Sequence, residues 1–148
     1  MEQSAPPKVF VYDKLRIFFK HTDYHGFVHP YNYLEWTSYV REAFFQETVP
    51  TFLEVLERSI KMMTVKIGCS VLADSQFGDV IEAKLTVGRI KRASFDMIVR
   101  FFNPRTQHVA CETVHTIVFA NSITAKFADI PTEMMKVIVN YEEPKTKE

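Results

Sequence analysis

The sequence contains few flexible and few cross-linking residues. Its 148 residues include only four Gly and two Cys, against thirteen Phe. A chain of this length buries roughly 70% of its unfolded surface, so its core needs no disulfide. Cys69 and Cys111 each lie in an apolar segment. We therefore expect both to be reduced thiols that pack as small hydrophobic side chains.

The sequence also lacks an excess charge of either sign and any long apolar run. Its 18 Lys and Arg balance 18 Asp and Glu, so it has no basic field for nucleic acid. No apolar segment approaches the ~20 residues that span a bilayer. The first residues, MEQSAPP, resemble neither a signal peptide nor a transit peptide. We expect a cytoplasmic protein with no nucleic-acid partner and no membrane span.

Hydrophobic periodicity predicts one long amphipathic helix over 31–47. Its apolar positions follow the helical repeat at Tyr33, Trp36, Val40, Ala43 and Phe44. Segments rich in β-formers predict strands over 8–20, 60–73, 80–90, 94–103 and 109–120, with short helices over 51–58 and 131–139. Short connections imply an antiparallel sheet covered by the long helix. We predict a single domain over 1–148, with flexible tails at 1–7 and 142–148.

The segment HTDYHGFVHPYNYLEW, residues 21–36, carries a family resemblance. It resembles the acyl-CoA thioesterases of the hotdog superfamily, particularly the 4-hydroxybenzoyl-CoA thioesterase and YbgC-like branch. The enediyne polyketide thioesterases are also similar, although they replace the Asp that this sequence retains. The resemblance implies an α+β hotdog fold, in which a five-stranded antiparallel sheet wraps around one long central helix. The matching residues are Asp23, Gly26, Val28, Asn32, Tyr33 and Trp36.

The resemblance implies that Asp23 is the catalytic carboxylate. An ionised carboxylate can attack a thioester directly or activate water, and the sequence leaves both roles open. Amides at the start of the helix would stabilise the oxyanion. Pro30 has no N–H to contribute, so the candidate donors are the amides of Tyr31 and Asn32 or the side chain of His29.

The same resemblance implies a substrate that is a thioester of coenzyme A or of an acyl carrier protein, and no cofactor. The predicted CoA phosphate contacts are Lys91, Arg92 and Ser94, since a basic turn suits phosphate. Family members associate as homodimers or homotetramers, so this turn would serve an Asp23 of a neighbouring chain. The acyl group stays open. The predicted substrate-binding residues are Gly26, Phe27, Val28 and Tyr33.

Other interpretations of the same residues compete with this one. His21, His25 and His29 recur every four residues, which on a helix would suit a metal. Gly26 argues against a continuous helix there, so we expect no metal site. Glu42 resembles the helical carboxylate of another thioesterase branch, but its polar neighbours favour a solvated residue. The competing functions are a hotdog dehydratase or hydratase, with His25 or His29 beside a carboxylate, and a non-catalytic acyl-thioester binding protein.

Overall fold

The computed structural model describes residues 6–144, which form one five-stranded antiparallel sheet with three α-helices. The α+β class and the sheet predicted from the sequence are confirmed. The strands are β1 (Phe10–Arg16), β2 (Ile60–Val71), β3 (Val80–Gly88), β4 (Ser94–Asn103) and β5 (His108–Asn121). The helices are α1 (Tyr31–Thr48), α2 (Phe52–Glu57) and α3 (Thr132–Ile138), with single 3₁₀ turns at Phe19–His21 and Val139–Tyr141.

The strand order across the sheet is β1-β3-β4-β5-β2. Strands β3, β4 and β5 follow one another in space as they do along the chain. Strand β2 instead crosses to the far edge and pairs with β5, from Ile60 opposite Asn121 to Val71 opposite Cys111. The chain segment that follows α1 and α2 is therefore an edge strand, and β1 forms the other edge.

The core lies between α1 and one face of the sheet. Alternate residues of β4 are fully buried on this inner face, because successive strand side chains point to opposite faces. Phe45 and Trp36 of α1 pack on Phe95 and Phe101, with ring centroids 6.3 and 6.4 Å apart. Each large apolar side chain buried in this way contributes roughly 1.5–3 kcal/mol. The outer face carries the other β4 positions, which are Ser94, Asp96, Ile98, Arg100 and Phe102.

Strand β2 is exposed along most of its length. From Thr64 to Val71 every residue is exposed, including Val65 at 58% and Ile67 at 55% of their full accessible surface. One edge of β2 bonds to β5, and no other named strand pairs with the opposite edge. A long apolar edge with unpaired amides and carbonyls is a template for pairing with another chain.

The predicted tails lie partly outside the described residues, which exclude 1–5 and 145–148. Near the start of the described chain, the amide of Lys8 donates to the carbonyl of Asn140 at 2.9 Å. Near its end, the amide of Glu143 donates to the carbonyl of Val87 at 2.8 Å, and its carboxylate pairs with Arg100. Within 6–144, none of the helices is both long and apolar enough to cross a membrane.

Candidate active site

Residues 21–29, between β1 and α1, form a small hairpin loop that we call the Asp23 loop. Its tip is the sequence Tyr24-His25-Gly26. Gly26 has φ +83°, and its amide donates to the carbonyl of Asp23 at 3.0 Å. Such a turn favours glycine, since side chains with a Cβ rarely adopt positive φ. Backbone contacts join His21 to His29, Thr22 to Val28 and Asp23 to Phe27.

The carboxylate of Asp23 is held by this loop through one oxygen only. Oδ1 accepts hydrogen bonds from the amides of His25 at 2.9 Å and Phe27 at 3.1 Å. Within residues 6–144, Oδ2 has no hydrogen-bond partner, and Asp23 is exposed. A carboxylate fixed in this way keeps one oxygen available for water or a carbonyl carbon.

Asn32 connects the Asp23 loop to the first turn of α1. Its side-chain Nδ2 donates to the carbonyls of His21 at 2.8 Å and His29 at 3.1 Å. Asn32 is only 4% exposed, so these bonds satisfy a buried amide group. This side chain therefore helps to fix the orientation of the loop relative to the helix.

The amides at the start of α1 differ in availability. Those of Asn32 and Tyr33 donate to the carbonyls of His29 at 3.0 Å and Pro30 at 3.1 Å. The amide of Tyr31 has no acceptor among the described residues, as is usual for the first residues of a helix. Pro30 already has helical dihedral angles, φ −54° and ψ −34°. The sequence did not distinguish Tyr31 from Asn32, whereas within residues 6–144 the Asn32 amide has an acceptor and the Tyr31 amide has none.

The predicted substrate-binding residues divide between loop and core. Gly26 and Phe27 lie in the Asp23 loop and are half-buried. Val28 and Tyr33 are buried, and the Tyr33 ring lies 5.1 Å from that of Phe101. Burial raises the pKa of Tyr33 to about 12, so its hydroxyl is protonated across the physiological range.

The three histidines of the segment do not share a helix face. His21 accepts a hydrogen bond at Nδ1 from the amide of Phe18 at 2.9 Å, and its ring lies 5.1 Å from Trp36. Burial lowers the pKa of His21. The described part of the chain contains no cluster of three side chains suited to a metal ion. It also gives neither His25 nor His29 a carboxylate partner.

A second loop, residues 72–79, supports the Asp23 loop. The sequence predicted a connection between two strands over 74–79, but not its contact with the Asp23 loop. The amide of Val28 donates to the carbonyl of Ser75 at 3.1 Å. Behind it, Asp79 is buried and accepts two bonds from Arg105, at 2.6 and 3.0 Å. The Arg105 guanidinium lowers the pKa of Asp79 to about 2. Asn103 completes the cluster by donating to Ser75 Oγ and Asp79 Oδ2. No motif marks these residues, which come from the loop over 72–79 and from the end of β4 with the turn that follows it.

The predicted phosphate-binding turn lies at an open depression of about 910 Å³ on the outer face of the sheet. Lys91 and Ser94 line it, whereas Arg92 does not. Arg92 forms an exposed ion pair with Asp129 instead. None of the residues of the Asp23 loop lines this depression. Its charged lining consists of Lys66, Arg89 and Lys91 with Asp96, Glu142 and Glu143.

Comparison with family models decides the affiliation. Residues 18–138 match the model of the thioesterase-like superfamily, a span that includes the Asp23 loop, α1 and all strands after it. The chain belongs to the thioesterase-like superfamily. This confirms the resemblance found in the sequence.

The solved structures similar to this superfamily member include several thioesterases and several hypothetical proteins. A hypothetical protein from Staphylococcus aureus, solved in complex with CoA, is 15% identical to this chain with a TM-score of 0.83. The match covers 99% of this chain and 94% of the Staphylococcus aureus chain. The dynemicin thioesterase is 18% identical with a TM-score of 0.81, covering 93% and 98%. A 1,4-dihydroxy-2-naphthoyl-CoA thioesterase from Synechocystis is 16% identical with a TM-score of 0.77, covering 89% and 96%. The comparison with curated protein sequences gave no match.

Proposed function

We propose that this protein hydrolyses acyl thioesters of coenzyme A or of an acyl carrier protein, with Asp23 as the catalytic carboxylate. The proposal depends chiefly on the hydrogen bonds of the Asp23 carboxylate. Two amides fix its Oδ1, while its Oδ2 has no partner among residues 6–144. Membership of the thioesterase-like superfamily supports this assignment. The reaction adds water across the thioester and releases an acid and a thiol.

In the proposed mechanism, Oδ2 of Asp23 either attacks the thioester carbon or removes a proton from the attacking water. Negative charge then develops on the carbonyl oxygen. The unpaired Tyr31 amide, at the positive end of the 18-residue helix α1, is the proposed oxyanion donor. Asn32 is a positioning residue, because it holds the Asp23 loop against the helix start. The side chain of His29 is the alternative donor.

The complete site is proposed to form between two chains. Asp23 and the depression that contains Lys91 lie on separate parts of one chain, and β2 presents a free apolar edge. Pairing along β2 would produce a homodimer and bring the depression of one chain toward the Asp23 loop of the other. The CoA complex of the Staphylococcus aureus protein and the aryl-CoA thioesterase of Synechocystis favour CoA as the carrier.

The test is release of free thiol from a panel of aryl, short, medium and long acyl-CoA substrates and one acyl carrier protein thioester. Asp23→Asn should lower kcat/KM by about 100-fold or more, since it removes both the nucleophile and the base. Asp13→Asn, at an exposed position in β1, is the matched control and should retain activity.

Each outcome of this panel distinguishes a function. Unchanged thiol release in a folded Asp23→Asn variant would overturn the assignment of Asp23. Intact thioester with tight binding would identify an acyl-thioester binding protein, and an altered acyl chain on an intact thioester would identify a dehydratase or hydratase. An acyl-enzyme mass at Asp23 after rapid quenching would assign the nucleophilic role.

A further inference from the structure

The two cysteines are neighbours on adjacent strands. Cys69 of β2 lies opposite Thr113 and Cys111 of β5 lies opposite Val71, so the cysteines are diagonal partners on the inner face. Their Sγ atoms are 3.6 Å apart. A disulfide has an S–S distance of about 2.05 Å, so closure requires the two Sγ atoms to approach by about 1.5 Å, through rotation of both side chains and a local adjustment of the two strands.

The two thiols differ in access. Cys69 is exposed, whereas Cys111 is fully buried. Burial, together with the nearby thiol of Cys69, raises the pKa of Cys111 well above its ordinary value. Reaction with a dissolved reagent therefore begins at Cys69, and Cys111 can react only with a sulfur that is already beside it.

A second chain paired along the β2 edge would not remove this access by its backbone contacts. Edge pairing uses amides and carbonyls in the plane of the sheet, whereas the side chain of Cys69 projects from the inner face. The flanking Ile67 and Val71 are exposed on that same face.

We propose that Cys69 is a thiol modification site for low-molecular-weight disulfides and that Cys111 is its resolving partner. The thiolate of Cys69 attacks one sulfur of the reagent and forms a mixed disulfide, releasing one thiol. Cys111 loses its proton and attacks Sγ of Cys69, which releases the second thiol and closes an intrachain disulfide. The protein loses two electrons and two protons, and the reagent is reduced to two thiols.

The disulfide would connect an exposed strand to the packing beneath α1. Cys111 lies opposite Phe101 of β4, whose ring packs against Tyr33 in the first turn of α1. The site goes beyond the proposed hydrolysis and does not depend on it, since the test measures only covalent state.

The experiment incubates the native, reduced full chain with oxidised glutathione and follows intact mass. The wild type should lose the mass of two hydrogens and keep no glutathione. Trypsin should then yield a cross-linked pair of peptides, residues 67–84 with 106–126. Cys111→Ser should stop at a stable mixed disulfide on Cys69. Cys69→Ser should react with oxidised glutathione at least about tenfold more slowly than the wild type, because its remaining thiol is buried.

Three results would overturn the proposal. The first is a wild type that stays fully reduced while the urea-unfolded chain is oxidised. The second is a glutathione adduct on Cys69 that persists although Cys111 is present. The third is a Cys69 cross-link between two chains on a non-reducing gel. Thermal melts of both serine variants check that each is folded. Because serine is nearly isosteric with cysteine, each variant tests the role of one thiol without a large change in packing.

Discussion

Two buried ionisable residues, Asp79 and His115, respond to acid for opposite reasons. Asp79 stays charged because Arg105 and Asn103 bond its carboxylate. His115 of β5 is only 3% exposed, and within the described residues neither ring nitrogen has a hydrogen-bond partner. Burial, with a smaller contribution from Arg41, lowers its pKa from 6.5 to about 4. Both groups therefore make the native state less stable in acid.

His115 should make stability fall as pH falls from 6.5 toward 4. In this range the unfolded chain protonates this histidine and the folded chain does not, so the unfolded state is favoured. The loss should reach about 2 kcal/mol by pH 5. His115→Leu should remove this part of the pH dependence in urea unfolding at pH 7 and pH 5, whereas the exposed His108→Leu should retain it. An unchanged slope in His115→Leu would contradict the assignment.

Asp79→Asn should lower the free energy of unfolding by about 1–2 kcal/mol at pH 7. This value is smaller than the shift in the pKa of Asp79 alone would give, because Arg105 is half exposed and solvent weakens the ion pair. The folded-state pKa of about 2 lies below the ordinary 3.8. The stabilisation is thus present above pH 3.8 and disappears as pH falls through 2. Asp129→Asn, which breaks an exposed ion pair with Arg92, should change stability by less than about 0.5 kcal/mol. Equal losses in both variants would contradict the prediction.

The extent of several elements was predictable from the sequence, and their side-chain contacts were not. The strand predicted over 8–20 was too long, because β1 ends at Arg16 and Phe19–His21 form a 3₁₀ turn. The predicted helix over 31–47 corresponds to Tyr31–Thr48, and the predicted strand over 94–103 matches β4, because local periodicity determines which residues are apolar on one side. The pairing of Arg92 with Asp129 joins residues 37 positions apart. No local pattern encodes such a contact, nor the bonds that fix Oδ1 of Asp23.

The Asp23 loop offers a test with two glycines. Gly26→Ala meets no neighbouring atom but must adopt φ +83°, so it should cost roughly 1 kcal/mol and displace Asp23. Gly68→Ala in β2 also meets no atom within 4 Å and has no positive φ, so it should not lower the free energy of unfolding. Thiol-release kinetics and urea unfolding of both variants measure the difference. Normal kcat/KM in Gly26→Ala would show that the turn does not set the position of the carboxylate.

At the scale of the whole molecule, the order of the strands in the sheet could not be predicted from the sequence. Four strands with short connections predicted an antiparallel sheet, but they did not show that β2 lies at the far edge beside β5. That placement depends on which strand pairs best with the second edge of β5, and the sequence of one segment alone does not determine this. The free edge of β2 is its main consequence for assembly.

Association along β2 is testable by sedimentation equilibrium. Ile67→Lys places a charge in the exposed apolar strand and should shift the protein toward the monomer by weakening association at least about tenfold. Val139→Lys, at an exposed position after α3, is the control and should leave association unchanged. Equal association of both variants would place the interface elsewhere.

The crossing of β2 to β5 also constrains how the chain can fold during synthesis. Ile60 pairs with Asn121 and Val71 with Cys111, so β2 leaves the ribosome well before β5, the strand with which it pairs. Until β5 has been made, both edges of an apolar strand are unpaired, which is the condition under which nascent chains aggregate. Pairings so distant along the chain also slow folding. The strand that is best placed to join two finished molecules is thus the one most in need of protection while each is being made.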